Sequence, residues 1–185
     1  MVTQPGTRTE VPGGDADPEE FRAVMRHLPT GVSILTTTGP TGPHGMTVSA
    51  VMSLSLNPPT AVAAVRHESN TYAILRNAST FVLNFLAADQ EEVALLFARS
   101  KPERDPFEQV AWQPSPLTGD PMLAGTVAAL ECRLEQRIPV ADHSLVVGGM
   151  AGSHIHQPDV GPLVFNRGAF WTVTGTPARR EDADD

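Results

Sequence analysis

Short runs of β-forming residues, separated by turns rich in glycine and proline, recur through most of this chain. Valine, isoleucine, threonine and phenylalanine dominate them, which is typical of strands. No Gly-x-Gly-x-x-Gly motif follows a strand, and strands do not alternate regularly with helices, so a doubly wound dinucleotide-binding fold is not supported. The pattern predicts a mainly β protein, a closed antiparallel β-barrel with a few flanking α-helices. The predicted strands span residues 32–38, 45–59, 60–66, 81–86, 126–140, 144–151, 163–165 and 170–173.

Three short helices are predicted beside these strands. Asp17-Pro18-Glu19-Glu20 provides an N-cap, a first-turn proline and a capping-box glutamate, and apolar residues follow at helical spacing as far as Leu28. A second helix is expected at 72–77, and a third is expected to open at Asp89. Residues 100–125 contain five prolines and are expected to form a loop. A loop of that length in a compact domain is usually functional.

Composition places these elements in one acidic domain. We expect a folded domain at 17–175, between a disordered tail at 1–16 and an acidic tail at 176–185. The net charge of −8 argues against a nucleic-acid partner. No apolar run reaches the length of a membrane span. The single cysteine, Cys132, lies in a strand pattern and is expected to be a small buried residue. Together these features predict a cytoplasmic protein.

The stretch 45–59, GMTVSAVMSLSLNPP, is a strand pattern with unusual polar residues. In a two-residue repeat, Thr47 and Ser49 share one face, which carries no long charged side chain. Small hydroxyls donate hydrogen bonds without bulk, so this face suits a flat polar ligand. A buried strand whose hydroxyls bond locally explains the composition equally well. Asn57 and the two prolines that follow it end the strand.

A second polar group lies where a predicted strand meets a predicted helix. Ser69, Asn70 and Thr71 are natural cap residues, and free backbone amides there, with the charge of Arg66, suit an anion. The alternative is a plain helix cap without a ligand.

Further candidates lie in turns and near the end of the chain. Asp142 and His143 occupy the turn between two long strands, where a histidine can orient a ligand or merely form part of the turn. Arg167 stands beside aromatic residues and can grip an anionic or planar ligand, or stack on the protein's own surface. His154 and His156 lack an evident third ligand, so no metal site is expected.

In their order along the chain, six segments resemble the short-chain flavin reductases of the FMN-binding split-barrel superfamily. They read FRAVMRHLPTGVSILTT, GMTVSAVMSLSLNPP, RHESNTYAILRNASTFVLNFLA, LFARSKPERDPF, ADHSLVVGGM and LVFNRGAFWTV, between residues 21 and 173. The resemblance implies that the β-barrel is an FMN-binding split barrel. Members of this family typically serve as the reductase component of two-component flavin-dependent monooxygenases.

The resemblance also implies roles for residues by position. His143 matches the histidine of a Gly-Asp-His motif at the nicotinamide site, but Ala141 replaces the glycine, and alanine tolerates fewer backbone conformations. The loop 97–107 and Arg167 resemble parts that close over the site, often across a dimer interface. The residues implied to bind flavin or nicotinamide are Gly45, Met46, Thr47, Ser49, Ala50, Ala64, Val65, Arg66, Ser69, Asn70, Thr71, Asp142, His143 and Arg167, of which Ser69–Thr71 match the flavin-phosphate site.

The implied reaction is hydride transfer from a reduced nicotinamide to FMN or FAD, with His143 positioning the nicotinamide. NADH is preferred to NADPH because no second arginine lies near Asp142 and His143 to receive a 2′-phosphate. The cofactors carry the chemistry, which agrees with the lack of any legible side-chain nucleophile. A homodimer that releases reduced flavin to a partner monooxygenase is expected. The alternatives are a flavoprotein that keeps its flavin and reduces a dedicated substrate, a non-catalytic flavin-binding protein, and a β-barrel binding module without flavin.

Overall fold

A computed structural model describes residues 16–99 and 102–173 of the chain. The predicted acidic tail and all but the last residue of the predicted N-terminal tail lie outside the described residues. The helices are α1 (Pro18–Met25), α2 (Asn70–Leu75) and α3 (Glu91–Ala98). The strands are β1 (Thr30–Gly31), β2 (Ser33–Gly39), β3 (Gly42–Val48), β4 (Val51–Leu56), β5 (Pro59–Arg66), β6 (Thr80–Phe85), β7 (Trp112–Pro114), β8 (Pro121–Leu123), β9 (Ala128–Val140), β10 (His143–Ile155), β11 (Leu163–Asn166) and β12 (Ala169–Thr172).

Antiparallel pairing organises these strands. Seven of them form one sheet in the order β3-β2-β6-β9-β10-β5-β4, so β3 and β4, which are consecutive in the chain, stand at its two ends. A three-stranded sheet has the order β1-β11-β12, and β7 pairs with β8. The predicted mainly β architecture with a few flanking helices is confirmed. None of the helices in the described ranges is long and apolar enough to cross a membrane.

The main hydrophobic core draws side chains from β3, at one end of the large sheet, and from β5, next to its other end. Val48 of β3 and Val65 of β5 pack in the same cluster as Leu35, Phe81 and Cys132, so the sheet curls around this core. Burying a side chain such as Phe81 stabilises the fold by about 1.5–3 kcal/mol. The prediction for Cys132 is confirmed: its side chain is buried, and burial raises the pKa of its thiol to about 12.

Two predictions about strands and loops were wrong. The stretch 45–59 is not one strand, because the chain leaves β3 after Val48, turns through Ser49 and Ala50, and starts β4 at Val51 at the opposite end of the sheet. The region 100–125 is not simply a loop, since it contains a 3-10 turn at Pro106–Glu108 and the hairpin of β7 and β8. Proline is tolerated in such a short hairpin because it has few ladder bonds to lose.

All three predicted helices are present, but their first residues and N-caps were predicted only in part. Asp17 caps α1 by accepting a hydrogen bond from the Glu19 N–H at 2.8 Å. Helix α2 begins two residues earlier than predicted, at Asn70. Helix α3 begins at Glu91 rather than at Asp89, and Gln90 makes no side-chain capping bond there. The Gln90 amide instead accepts from the Ala87 N–H and donates to the Ala124 carbonyl, so it ties the helix start to neighbouring loops.

Candidate functional site

A cleft of about 460 Å³ opens between β3, the segment from β5 to α2, and the chain that follows α3. Sequence-distant segments meet there because β3 is an end strand of the sheet and α3 packs against it. The cleft is lined by Pro43, His44, Gly45, Met46, Thr47, Arg66, Glu68, Ser69, Asn70, Thr71, Phe97, Ala98, Arg99, Pro102, Asp105, Pro106 and Phe107. Seven of these were singled out from the sequence: Gly45, Met46, Thr47, Arg66, Ser69, Asn70 and Thr71.

One wall of the cleft depends on glycine at residue 45. The rings of Phe97 and Phe107 meet edge to face, with centroids 5.1 Å apart. A β-carbon at Gly45 would lie 2.9 Å from Phe97 Cε1 and 3.2 Å from Phe107 Cζ. Because such distances are closer than side chains tolerate, glycine allows the aromatic pair to pack directly on the backbone of β3.

The hydroxyls predicted to face a ligand are partly engaged within the protein. The Thr47 hydroxyl donates to the Ala94 carbonyl at 2.6 Å and so fastens α3 to β3. Ser55 accepts a hydrogen bond from the Asn57 N–H at 3.1 Å. The Thr47 hydroxyl is therefore engaged in a long-range bond within the protein, although Thr47 also lines the cleft, and only Ser55, outside the predicted face, bonds locally.

The segment from Arg66 to Thr71 combines a helix cap with part of the cleft wall. Ser69 accepts from the Tyr72 N–H at 3.0 Å and donates to the Arg66 carbonyl at 2.9 Å, so its hydroxyl caps α2. Arg66 and Arg99 line the cleft from different segments and supply positive charge. Thr71 is buried on the same wall. Arginine charge beside small polar residues suits an anionic group.

The turn between β9 and β10 stands next to this segment. His143 is the register partner of Arg66 where β10 pairs with β5. Its Nδ1 lies 2.8 Å from the Asp142 carboxylate, and that hydrogen bond, assisted by the charge of Arg66, lowers the pKa of Asp142. Nδ1 is therefore occupied, and Nε2 is the ring nitrogen that remains for a ligand. Ala141 adopts a positive φ of 50°, a conformation that favours glycine.

Several predicted site residues lie outside the cleft lining. Ser49 and Ala50 are exposed in the turn after β3, where the Ala50 carbonyl accepts from the Ala64 N–H at 2.9 Å. Val65 is fully buried in the core, so only its backbone can take part in a site. Arg167 lies in the turn between β11 and β12, where its backbone N–H donates to the Arg26 carbonyl.

Sequence reasoning missed other lining residues, and it did not place the two histidines near the end of β10. The cleft residue His44 comes from β3, and no motif marked it. Arg99 comes from the chain after α3 and lies in the loop 97–107, which the family resemblance implied to be a part that closes over the site. His154 lies 2.7 Å from the buried Glu131 carboxylate, and its ring stacks on that of His156. The described parts of the chain contain no group of three or more histidine, cysteine, aspartate or glutamate residues that could hold a metal ion.

Comparison with known proteins identifies close relatives over nearly the whole fold. Residues 25–174 match the flavin reductase like domain. The chain is 32% identical over 179 residues to the NADH:FMN oxidoreductase of Rhodococcus qingshengii. This alignment covers 91% of this chain and 92% of that protein.

Two solved structures share the fold at similar identity. The NADH:FAD oxidoreductase of Streptomyces globisporus C-1027, in complex with NAD and FAD fragments, has a TM-score of 0.78 at 30% identity, over 93% of this chain and 100% of that one. The flavin reductase component of a bacterial two-component tryptophan halogenase has a TM-score of 0.79 at 32% identity, over 86% of this chain and 100% of that one.

Proposed function

The chain belongs to the flavin reductase like domain family, and we propose that it transfers hydride from NADH, in preference to NADPH, to FMN or FAD. The observation that carries this proposal is the cleft, which gathers residues 45–47, Arg66 and residues 69–71 beside the turn of Asp142 and His143. The relatives support both flavins, since one is named an NADH:FMN oxidoreductase and another an NADH:FAD oxidoreductase.

The residues present fit a flavin. At about 460 Å³ the cleft falls within the usual range of small-molecule sites. Gly45 lets the rings of Phe97 and Phe107 pack on the backbone of β3, so this wall of the cleft presents apolar aromatic surface to a planar ring system. Arg66 and Arg99 supply positive charge, and Thr71 lies with them on the lining, so this end suits the flavin phosphate.

The protein's own contribution is binding and orientation. A bound flavin supplies a hydride acceptor for the reduced nicotinamide. His143 positions the nicotinamide, and the hydrogen bond of its Nδ1 to Asp142 fixes the direction of the ring. The cleft wall of Gly45, Phe97 and Phe107 shields one side of the site from water. No side-chain nucleophile takes part.

Reduced flavin then leaves for a partner monooxygenase. The relative that forms part of a two-component tryptophan halogenase supports such a division of labour. The rival function is a flavoprotein that retains its flavin and reduces a dedicated substrate, and retention of yellow flavin through gel filtration would favour it.

The assembly is a homodimer of closed split barrels. Apolar side chains of α1 and β4 are exposed in the single chain, among them Phe21, Val24, Met52 and Leu56, and a second copy would cover them. Closure of the barrel is supported by the shared core of β3 and β5. Arg167, which does not line the cleft of one chain, reaches the site across this interface.

The folded unit is a single domain, 17–175, and it acts in the cytoplasm. The family match over residues 25–174 supports one domain. The one cysteine of the chain is buried and unpaired, as suits a reducing compartment.

The deciding experiment measures oxidation of NADH and of NADPH by the purified protein with FMN, with FAD and without added flavin. Oxidation that depends on added flavin supports a reductase with diffusible flavin and ranks both cofactor pairs. A folded protein that binds flavin but oxidises neither nicotinamide would be a flavin-binding protein instead. A protein that neither binds flavin nor oxidises a nicotinamide would be a binding module of another kind. Light scattering on the same sample tests the homodimer.

A further inference from the structure

A buried hydroxyl lies directly behind the proposed nicotinamide-positioning histidine. Ser144 follows His143 in β10, and it is 1% exposed. Its Oγ lies 2.9 Å from His67 Nε2 and 2.9 Å from the Tyr72 hydroxyl. A serine hydroxyl donates one hydrogen bond and accepts up to two, so it can serve both partners at once.

The two partners of Ser144 belong to the segment that forms the proposed flavin-phosphate wall. His67 follows Arg66 at the end of β5, and Tyr72 lies in α2, whose cap is Ser69. The rings of His67 and Tyr72 lie against each other, with centroids 4.8 Å apart and planes inclined by 31°. Ser144 therefore joins β10, just after the β9–β10 turn, both to the end of β5 through His67 and to α2 through Tyr72.

A backbone bond reinforces this junction. The His67 N–H donates to the Asp142 carbonyl at 2.9 Å. The β5–β10 ladder pairs Arg66 with His143, and two further bonds hold the turn to the flavin-phosphate wall, one through the main chain and one through the Ser144 hydroxyl. Arg66, which lines the cleft, precedes His67, and His143 precedes Ser144, so the junction bears on where His143 stands relative to the cleft.

We propose that Ser144 is a positioning residue, which holds His143 in register with the flavin site through its shared hydrogen bonds to His67 and Tyr72. This inference rests on the proposed function, since it assigns the nicotinamide to His143 and the flavin to the cleft. Hydride transfer demands close placement of donor and acceptor, so a small displacement of His143 slows the reaction. Binding of flavin alone does not depend on His143 and is unaffected.

The test compares Ser144→Ala, Tyr72→Phe and the double variant with the wild-type protein. We expect Ser144→Ala to lower kcat/KM for NADH about tenfold at saturating FMN, while the KM for FMN changes less than about twofold. Tyr72→Phe removes one of the same bonds and shifts the same parameter in the same direction. The double variant is expected to be no slower than Ser144→Ala, because both changes break one network.

A second readout requires no ligand. In the unliganded protein, hydrogen–deuterium exchange of the His67 amide, which donates to the Asp142 carbonyl, and of the His143 amide in the turn is expected to rise about tenfold in Ser144→Ala. Thr126→Val is the matched control, since Thr126 is fully buried and its hydroxyl donates to the Leu123 carbonyl at 3.2 Å, in a loop outside the cleft. It loses a buried hydroxyl of the same kind and is expected to leave both the NADH kinetics and the exchange of the turn unchanged.

Contrary outcomes are distinct. Wild-type NADH kinetics in Ser144→Ala, or an equal loss in Thr126→Val, would overturn the positioning role. Additive losses in the double variant would show that Ser144 and Tyr72 do not act through one network and would also overturn it. If the wild-type protein oxidised no nicotinamide with any flavin, the proposed function would fall. In that case unchanged hydrogen–deuterium exchange in Ser144→Ala would also contradict the structural role of Ser144 in holding the turn, whereas faster exchange would support that role.

Discussion

Gly45 and Phe97 are in direct contact along the cleft wall, and a β-carbon at residue 45 would lie 2.9 Å from Cε1 of the Phe97 ring. Phe97 packs in turn against Phe107, which would itself lie 3.2 Å from that β-carbon. The glycine of β3 therefore sets how closely the chain after α3 approaches the strand. Both aromatic residues also belong to a buried cluster with Ile34 and Leu86, so their displacement is felt beyond the cleft.

Gly45→Ala is expected to displace the Phe97 ring and deform the flavin site. Overpacking of this kind costs about 1–3 kcal/mol of stability, and we expect FMN affinity to fall about tenfold. Flavin-fluorescence titration measures the affinity, and urea unfolding measures the stability. Gly31→Ala is the matched control, because a β-carbon at Gly31 meets nothing within 4 Å. Unchanged FMN affinity in Gly45→Ala would remove residue 45 from the flavin wall.

His143→Ala is expected to separate the two substrates kinetically. The KM for NADH should rise about tenfold while the KM for FMN changes less than about twofold, since the imidazole contacts the nicotinamide and not the flavin phosphate. Asp142→Asn should shift the KM for NADH in the same direction by less, because the ring loses its charged partner but keeps its place. Steady-state kinetics with each substrate varied at saturation of the other measures both constants.

The control for His143→Ala and Asp142→Asn is His156→Ala, which should leave both KM values unchanged. His156 lies outside the cleft lining, and its ring stacks on that of His154. Equal changes in the two KM values for His143→Ala would indicate a general disturbance of the site. An unchanged KM for NADH would exclude His143 from the nicotinamide site.

Ala141→Gly is expected to stabilise the protein by up to about 1 kcal/mol. Ala141 holds a φ of 50°, where a β-carbon is strained and glycine is not, and this gain is offset in part by the greater freedom of glycine in the unfolded chain. Ala73→Gly provides the opposite case, because Ala73 lies within α2, and glycine there should destabilise by about 0.5–1 kcal/mol. Urea unfolding of both variants tests the sign. A loss of stability in Ala141→Gly would contradict the strain.

The sequence was informative wherever local periodicity decides the structure. Strand patterns located β5, β6 and β9 to within two residues at each end, and cap chemistry located α1. The predicted strand 144–151 was too short, because β10 continues to Ile155. Prediction failed at Ser49 and Ala50, because a chain that continues from one end of a sheet to the other keeps its β-forming composition while it turns. Because β3 pairs with β2 while β4 pairs with β5, the turn depends on tertiary contacts, and the spacing of apolar residues in the sequence does not indicate it.

The candidate site was predictable to the extent that its residues lie in continuous motifs. Gly45 and Arg66 were found because their segments match family motifs, and the structure brings both to one cleft. His44 could not be found, since it precedes the motif that begins at Gly45 and joins the cleft only through the packing of α3 against β3. Arg99 was indicated only through the loop 97–107, which the family resemblance implied to close over the site. The hydrogen bond of the Thr47 hydroxyl was likewise not predictable from the sequence, because its acceptor, the Ala94 carbonyl, is 47 positions away along the chain.

Glu131 on β9 predicts how stability depends on pH. Its side chain is fully buried, and burial raises the pKa of its carboxyl, but hydrogen bonds from His154 and from the N–H groups of Leu117 and Thr118 outweigh burial and hold the pKa below its ordinary value of 4.5. A folded-state pKa below the unfolded one means that ionised Glu131 stabilises the fold above about pH 4.5, and that this stabilisation is lost as the pH falls through the folded-state pKa.

Glu131→Gln is therefore expected to cost about 2 kcal/mol at neutral pH, where a charged acceptor is lost, and less in acid, where wild-type Glu131 is itself protonated. Urea unfolding of both proteins from about pH 7 to about pH 3 measures the difference. Glu135→Gln is the control, because Glu135 is an exposed glutamate on the same strand. A Glu131→Gln difference that stays constant with pH would mean that the pKa of Glu131 is the same in the folded and unfolded protein. A difference that closes in acid, while Glu135→Gln stays near wild type, would locate this pH dependence at Glu131.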